Sequence, residues 1–193
     1  MCLTIPSMAI YTLQQSWLPN FFYSNPKSAP VWFLLRLYVG YEWLMAGWEK
    51  VLNPKWFGAE AGAAMQGFVA GALKKTAEFC PPAPAACHPD VSAWYASFLQ
   101  SAVLPYPLAW ANAIAVGEVL VGLGLIFGCL TGIAAFFGLF MNLNFMLAGT
   151  VSINPILFTL SIFLILAWRV AGYWGFDRFI NPRFFGVTFN RSP

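Results

Sequence analysis

Four stretches of this chain are apolar over the length a bilayer-crossing helix needs, about 20 residues, and each is bounded by proline, glycine or polar residues. The first, residues 29–52, reads APVWFLLRLYVGYEWLMAGWEKVL; it follows Asn25-Pro26 and stops before Asn53-Pro54, where the pre-proline residue leaves helical geometry. The second, residues 106–130, opens beside Pro105 and Pro107, carries Gly117, Gly122, Gly124 and Gly128, and closes at Thr131-Gly132. The third covers residues 132–151 and the fourth residues 155–173, with short hinges before each. Helices joined by a few residues fold back on one another. The pattern therefore predicts an all-α integral membrane protein, a single membrane domain over residues 1–193 built as a four-helix transmembrane bundle. Small residues such as Ala111, Ala115 and Gly122, or Gly138 and Gly149, would let the backbones approach closely.

Residues 53–105 are too long to be a turn and too broken to span, so they are expected to form a cap between the first two spans. Within it, WFGAEAGAAMQGFVAGALKKTAEF reads as an Ala/Gly-rich helix, and VSAWYASFLQSAVL places Val91, Trp94, Tyr95 and Phe98 on one helical face. Such segments lie at headgroup level or form a soluble-facing lid.

Composition agrees with the bilayer: 60% of the 193 residues are hydrophobic, 18% aromatic and only 9% charged, where an ordinary soluble domain has about a quarter charged. Disordered, secreted and nucleic-acid-binding classes are excluded together. The distribution of cations gives orientation. Arg178, Arg183 and Arg191 follow the fourth span and Arg169 lies near its end, which places both termini on the cytoplasmic side of a multi-pass inner-membrane protein with the cap outside. The N-terminal MCLTIPSMAIYTLQQSWLPNFF has no basic n-region or cleavage pattern, so the first span is expected to direct insertion. Cys80 and Cys87 bracket CPPAPAAC and would form a local disulfide in that oxidising compartment. With His88 they lack a fourth metal ligand, and one histidine cannot supply bis-histidine haem, so no metal or haem is expected.

Ionisable groups at membrane depth cost about 2.5–3.5 kcal/mol each on insertion scales and mark functional positions. Arg36 and Glu42 fall in the first span, Glu118 in the second, and Asn142 and Asn144 in the third. Arg36 and Glu42 stand about 9 Å apart along a helix and about 120° apart around it. The expected partner of Arg36 is therefore Glu118, in an interhelical ion pair that either fixes helix faces or serves chemistry, with Glu42 free to handle protons. At the outer end, Trp48, Glu49 and Lys50 read either as an interfacial belt or, with Asn144 opposite, as the mouth of a site. The expectation is that these polar groups turn into one shared chamber open to the exterior.

RLYVGYEWLMAGWEKVLNPKWFG (residues 36–58), GEVLVGLGLIFGCLTG (residues 117–132) and MNLNFMLAGTVSINP (residues 141–155), in this order and spacing, resemble the DoxX/DoxD family of small four-span membrane proteins. The resemblance to its DoxD side implies a membrane subunit of thiosulfate:quinone oxidoreductase, joining two thiosulfates to tetrathionate and passing electrons to quinone. It also implies a DoxA-like subunit or larger membrane complex as partner. On that reading Lys50, helped by Lys74 or Lys75, attracts thiosulfate. The quinone acceptor lies near Trp43 and Trp48 with Arg36, Asn142 and Asn144, and Glu42, Glu49 and Glu118 manage protons. Two alternatives stand beside it: a thiol-disulfide:quinone oxidoreductase using Cys80 and Cys87, whose six-residue gap argues against a fast shuttle, and a non-catalytic small subunit of a respiratory or photosynthetic membrane complex.

Overall fold

Proline and asparagine set the helix boundaries. The computed structural model describes residues 17–58, 60–79 and 89–186. After a short α1 (Trp17–Ser24), Asn25 accepts the Lys27 amide at 2.9 Å and closes a 3₁₀ turn, from which α2 (Ala29–Leu52) runs 24 residues to an extended Asn53. The cap contains α3 (Ala63–Leu73) and α4 (Ala93–Phe98), the latter prolonged by a π-helical turn over Leu99–Val103. Then follow α5 (Pro107–Phe127), α6 (Thr131–Leu147), α7 (Asn154–Leu166), α8 (Trp168–Ala171) and α9 (Asp177–Phe185). Among the described helices, α5 alone is both long and apolar enough by itself to cross a bilayer.

The first three expected spans coincide with α2, α5 and α6 to within a few residues. The fourth differs: its helix breaks at Ala167 and resumes as α8, and the tail adds α9. No proline or glycine stands at the break. Packing accounts for it, since Trp168 lies against Gly132 at the start of α6.

Buried positions on the long helices recur at alternating steps of three and four residues, the seam of left-handed helix pairs. On α2 this seam is Arg36, Gly40, Trp43 and Gly47; on α5 it is Ala111, Ala115, Glu118, Gly122 and Leu125; on α6, Thr131, Ala135, Gly138 and Asn142; on α7, Leu157, Ser161 and Leu164. α2 packs against α5, α5 against α6, α6 against α7, and α7 returns to α2. The α2–α5 approach is the closest-fitted one. A Cβ on Gly122 would stand 2.5 Å from the Leu44 nitrogen, and one on Gly47 would stand 2.7 Å from the Val119 nitrogen. Only glycine lets these backbones meet.

A second core sits under the cap, where Met65, Val69, Val91, Tyr95, Leu99 and Val103 close over Ala111 of α5 and Ala148 after α6. The cap is thus docked on the helix ends. Val91 and Tyr95 are buried as expected of their face, whereas Trp94, one step further round, is exposed. Outward from the seams, α2, α5, α6 and α7 present large apolar side chains such as Leu34, Leu120, Phe137 and Ile156.

Candidate functional site

At the cap end of the α2–α5 seam, Lys50 Nζ lies 2.7 Å from Glu118 Oε2, the ion pair that the described residues contain. The geometry follows from the seams. Lys50 is three residues beyond Gly47, and Gly47 faces Glu118 itself. Glycine at that point leaves room for the carboxylate between the helices. The lysine also donates to the Ala46 carbonyl at 3.4 Å, and its ammonium stands 5.3 Å from the ring of Trp56, just past the helix stop. Exposure is unequal: the Lys50 side chain is 21% accessible and Glu118 only 1%. The pair is a carboxylate sealed between helices with its cation toward the cap.

Arg36 does not pair with Glu118. Because α2 and α5 run antiparallel, Arg36 stands beside Gly128 at the far end of the seam, where a Cβ on that glycine would run into the guanidinium. Lys50 is 14 residues further along α2, about 21 Å at 1.5 Å per residue. Lys50, not Arg36, is therefore the cation nearest Glu118.

Arg36, fully buried, donates to the Trp174 carbonyl at 3.0 Å, lies 5.4 Å over the Phe33 ring and feels the charge of Asp177. Asp177 is the residue that sequence reasoning missed. Its carboxylate accepts the amides of Leu130 at 2.6 Å and Thr131 at 2.9 Å, and its own amide donates to the Gly128 carbonyl at 2.7 Å. One signal existed. The residue before α6 is Leu130, held at φ +52°, which has no side chain to cap the helix, so an acceptor had to come from elsewhere.

The remaining candidates scatter. Trp43 is buried, its indole beside Gly138 and its ring 6.4 Å from Phe145. Trp48 is 52% exposed on another face of α2. Glu42 and Glu49, seven residues apart, share a face about 100° from the seam; Glu42 is half-buried and Glu49 exposed. Asn142 is buried in the seam with both side-chain ends lacking a protein partner, as do the Trp43 indole N–H and the Ser161 hydroxyl. Asn144 turns to the cap: Tyr95 donates its hydroxyl to the Asn144 carbonyl at 2.9 Å, and Asn144 Nδ2 donates to the Phe140 carbonyl at 2.8 Å. Burial pushes the Tyr95 phenol up to about 12.

The expected single chamber therefore resolves into separate centres: Lys50–Glu118 at the cap end, Arg36–Asp177 at the opposite end, Asn142 with Trp43 and Ser161 inside, and Tyr95–Asn144 under the cap. Ionised groups fourteen residues apart on one seam cannot converge on a common point. Lys75 binds the Gly149 carbonyl at 2.6 Å, and Lys74 is exposed. Cys80, Cys87 and His88 lie outside the described residues. Among the described residues, no three of His, Cys, Asp and Glu gather as a metal site would require.

The sequence model of the DoxX family matches residues 31–151. That span runs from the first turn of α2 past the end of α6, so it contains Arg36, Lys50, Glu118 and Asn142 and leaves Asp177 outside. No curated protein and no solved structure matches the chain.

Proposed function

This chain belongs to the DoxX family of membrane proteins, and on that premise we propose that it is the membrane subunit of a quinone-reducing oxidoreductase that converts thiosulfate to tetrathionate. In this reading α2, α5, α6 and the α7–α8 pair cross the inner membrane as a four-helix bundle, with the cap outside and both termini in the cytoplasm. Charge supports that orientation. The Arg36 end carries Lys27, Arg36, Arg169, Arg178 and Arg183 against the single acid Asp177, as the positive-inside rule asks.

The observation that carries the catalytic reading is the Lys50–Glu118 pair. Burying a carboxylate is costly unless a cation answers it, and here the cation stays partly accessible on the substrate side. Two thiosulfate dianions release two electrons as their outer sulfurs join; quinone takes up those two electrons and two protons to become quinol. Lys50, flanked by Trp56, would draw the dianion to the outer end of α2. Glu118 would exchange protons as the anion competes for its lysine, with Glu49 and Glu42 forming the exposed-to-half-buried path on the adjacent face. A DoxA-like subunit or larger complex would complete the electron path.

The test is thiosulfate-dependent quinone reduction by the chain with its partner subunit. Lys50→Ala is expected to raise the thiosulfate requirement sharply with the quinone KM unchanged; wild-type kinetics would remove Lys50 from the site. A second reading, a non-catalytic small subunit of a larger membrane complex, is favoured by one observation, the dispersal of polar groups into separate centres. Stoichiometric copurification with an electron-transfer complex whose quinone reduction survives both Lys50→Ala and Glu118→Gln would select it.

A further inference from the structure

The outer faces of α5 and α6 leave a groove of about 600 Å³ that opens sideways and continues toward the cap. Gly117 and Gly124, seven residues apart, form its floor on α5, away from the seam that meets α2. Trp110, Ile114, Phe140 and Met141 line this groove and also a smaller cavity of about 90 Å³ beneath the cap, so the two adjoin across these four side chains. Tyr95 and Asn144 are the hydroxyl and amide in the wall of the inner cavity. Apolar side chains line nearly all of the path, and none of its lining residues is charged.

We propose that this path binds a prenylated quinone, its tail along the Gly117–Gly124 floor and its ring under the cap against Asn144 and Tyr95; the proposal rests on the quinone-reducing reading above. The chemistry of the lining selects the occupant. A phospholipid headgroup needs a cation for its phosphate, and the path offers none. A plain hydrocarbon chain has no use for a hydroxyl and an amide in the cavity wall. A quinone is neutral, carries carbonyl acceptors on its ring and has a long apolar tail. Asn144 Nδ2 has two N–H groups and spends one on Phe140; the other is the donor a ring carbonyl requires. Glu118 follows Gly117 directly, about 100° round the helix, so the Lys50–Glu118 pair lies on the face of α5 next to the groove floor.

The experiment uses the purified full chain in phosphatidylcholine nanodiscs and a photoreactive azidoquinone with a decyl tail. Label is expected on peptides of α4, α5 and α6, competed by decylquinone. Leu120→Trp, which fills the groove from a position already 62% exposed, is expected to abolish labelling. Asn144→Leu keeps the groove open and is expected to weaken decylquinone binding about five-fold, the loss of one neutral hydrogen bond. Label outside these helices, wild-type affinity in both variants, or displacement by excess phospholipid as effective as by decylquinone overturns the assignment. Quinone reduction that persists with the groove filled sinks the site and leaves the proposed function standing; a wild-type chain that binds no quinone anywhere sinks both.

Discussion

Replacing Lys50 by methionine leaves the Glu118 carboxylate, 1% accessible, between two helices with no cation. Breaking a buried pair from one side costs about 3–5 kcal/mol, because the surviving charge stays desolvated. The reciprocal change, Glu118→Gln, leaves a lysine that is 21% accessible and swings toward solvent, so its cost is expected near 1 kcal/mol. The double variant removes both charges and fills the seam with neutral groups of similar size, so it is expected to lie well above Lys50→Met in stability. A coupling energy of about 2–4 kcal/mol follows. Equilibrium unfolding of the four proteins in mixed micelles, read by tryptophan fluorescence, measures it. Single-variant effects that add to within about 0.5 kcal/mol would refute the claim that the pair is buried and coupled. The same cycle separates stability from chemistry: the double variant should be folded and still fail to oxidise thiosulfate.

Gly122→Ala places a Cβ 2.5 Å from the Leu44 nitrogen, so α2 and α5 must part; a loss of about 1–3 kcal/mol in the same unfolding assay is expected. Asp177→Ala removes the acceptor of the Leu130 and Thr131 amides and is expected to cost about 1–2 kcal/mol, with Asp177→Asn restoring part of it; equal losses would contradict capping. The Tyr95 phenol, raised to about 12 from an ordinary value of about 10, keeps its proton in the folded cap. Its contribution is complete below about pH 10 and fades as pH rises through about 12. An ultraviolet titration should lose a phenol that ionises near pH 12 in Tyr95→Phe.

Helix positions were legible because proline and asparagine punctuate this chain strongly; Asn25-Pro26, Asn53-Pro54 and Asn154-Pro155 each mark a real boundary. The break at Ala167 was not legible, since it arises from Trp168 packing on α6 rather than from any local signal. Candidate polar residues were found one by one, yet their grouping was misjudged. The seam Arg36, Gly40, Trp43, Gly47, with Lys50 next in register, was present in the sequence. Matching it against Ala111, Ala115, Glu118 and Gly122 in antiparallel sense sets Lys50, not Arg36, opposite Glu118. Asp177 stayed hidden because it acts through backbone amides 46 and 47 residues away, a contact that no local pattern encodes.

The central claim is that thiosulfate electrons reach quinone through a site gated by Lys50 and Glu118. Its most direct test is quinol formation in proteoliposomes containing the chain and its partner subunit, with thiosulfate supplied outside. One tetrathionate per quinol, reached in Lys50→Ala only at much higher thiosulfate and lost in Glu118→Gln while both variants remain folded and inserted, is the expected result. Quinol formation at wild-type rate in the two variants, or none with the intact chain and partner, would contradict it.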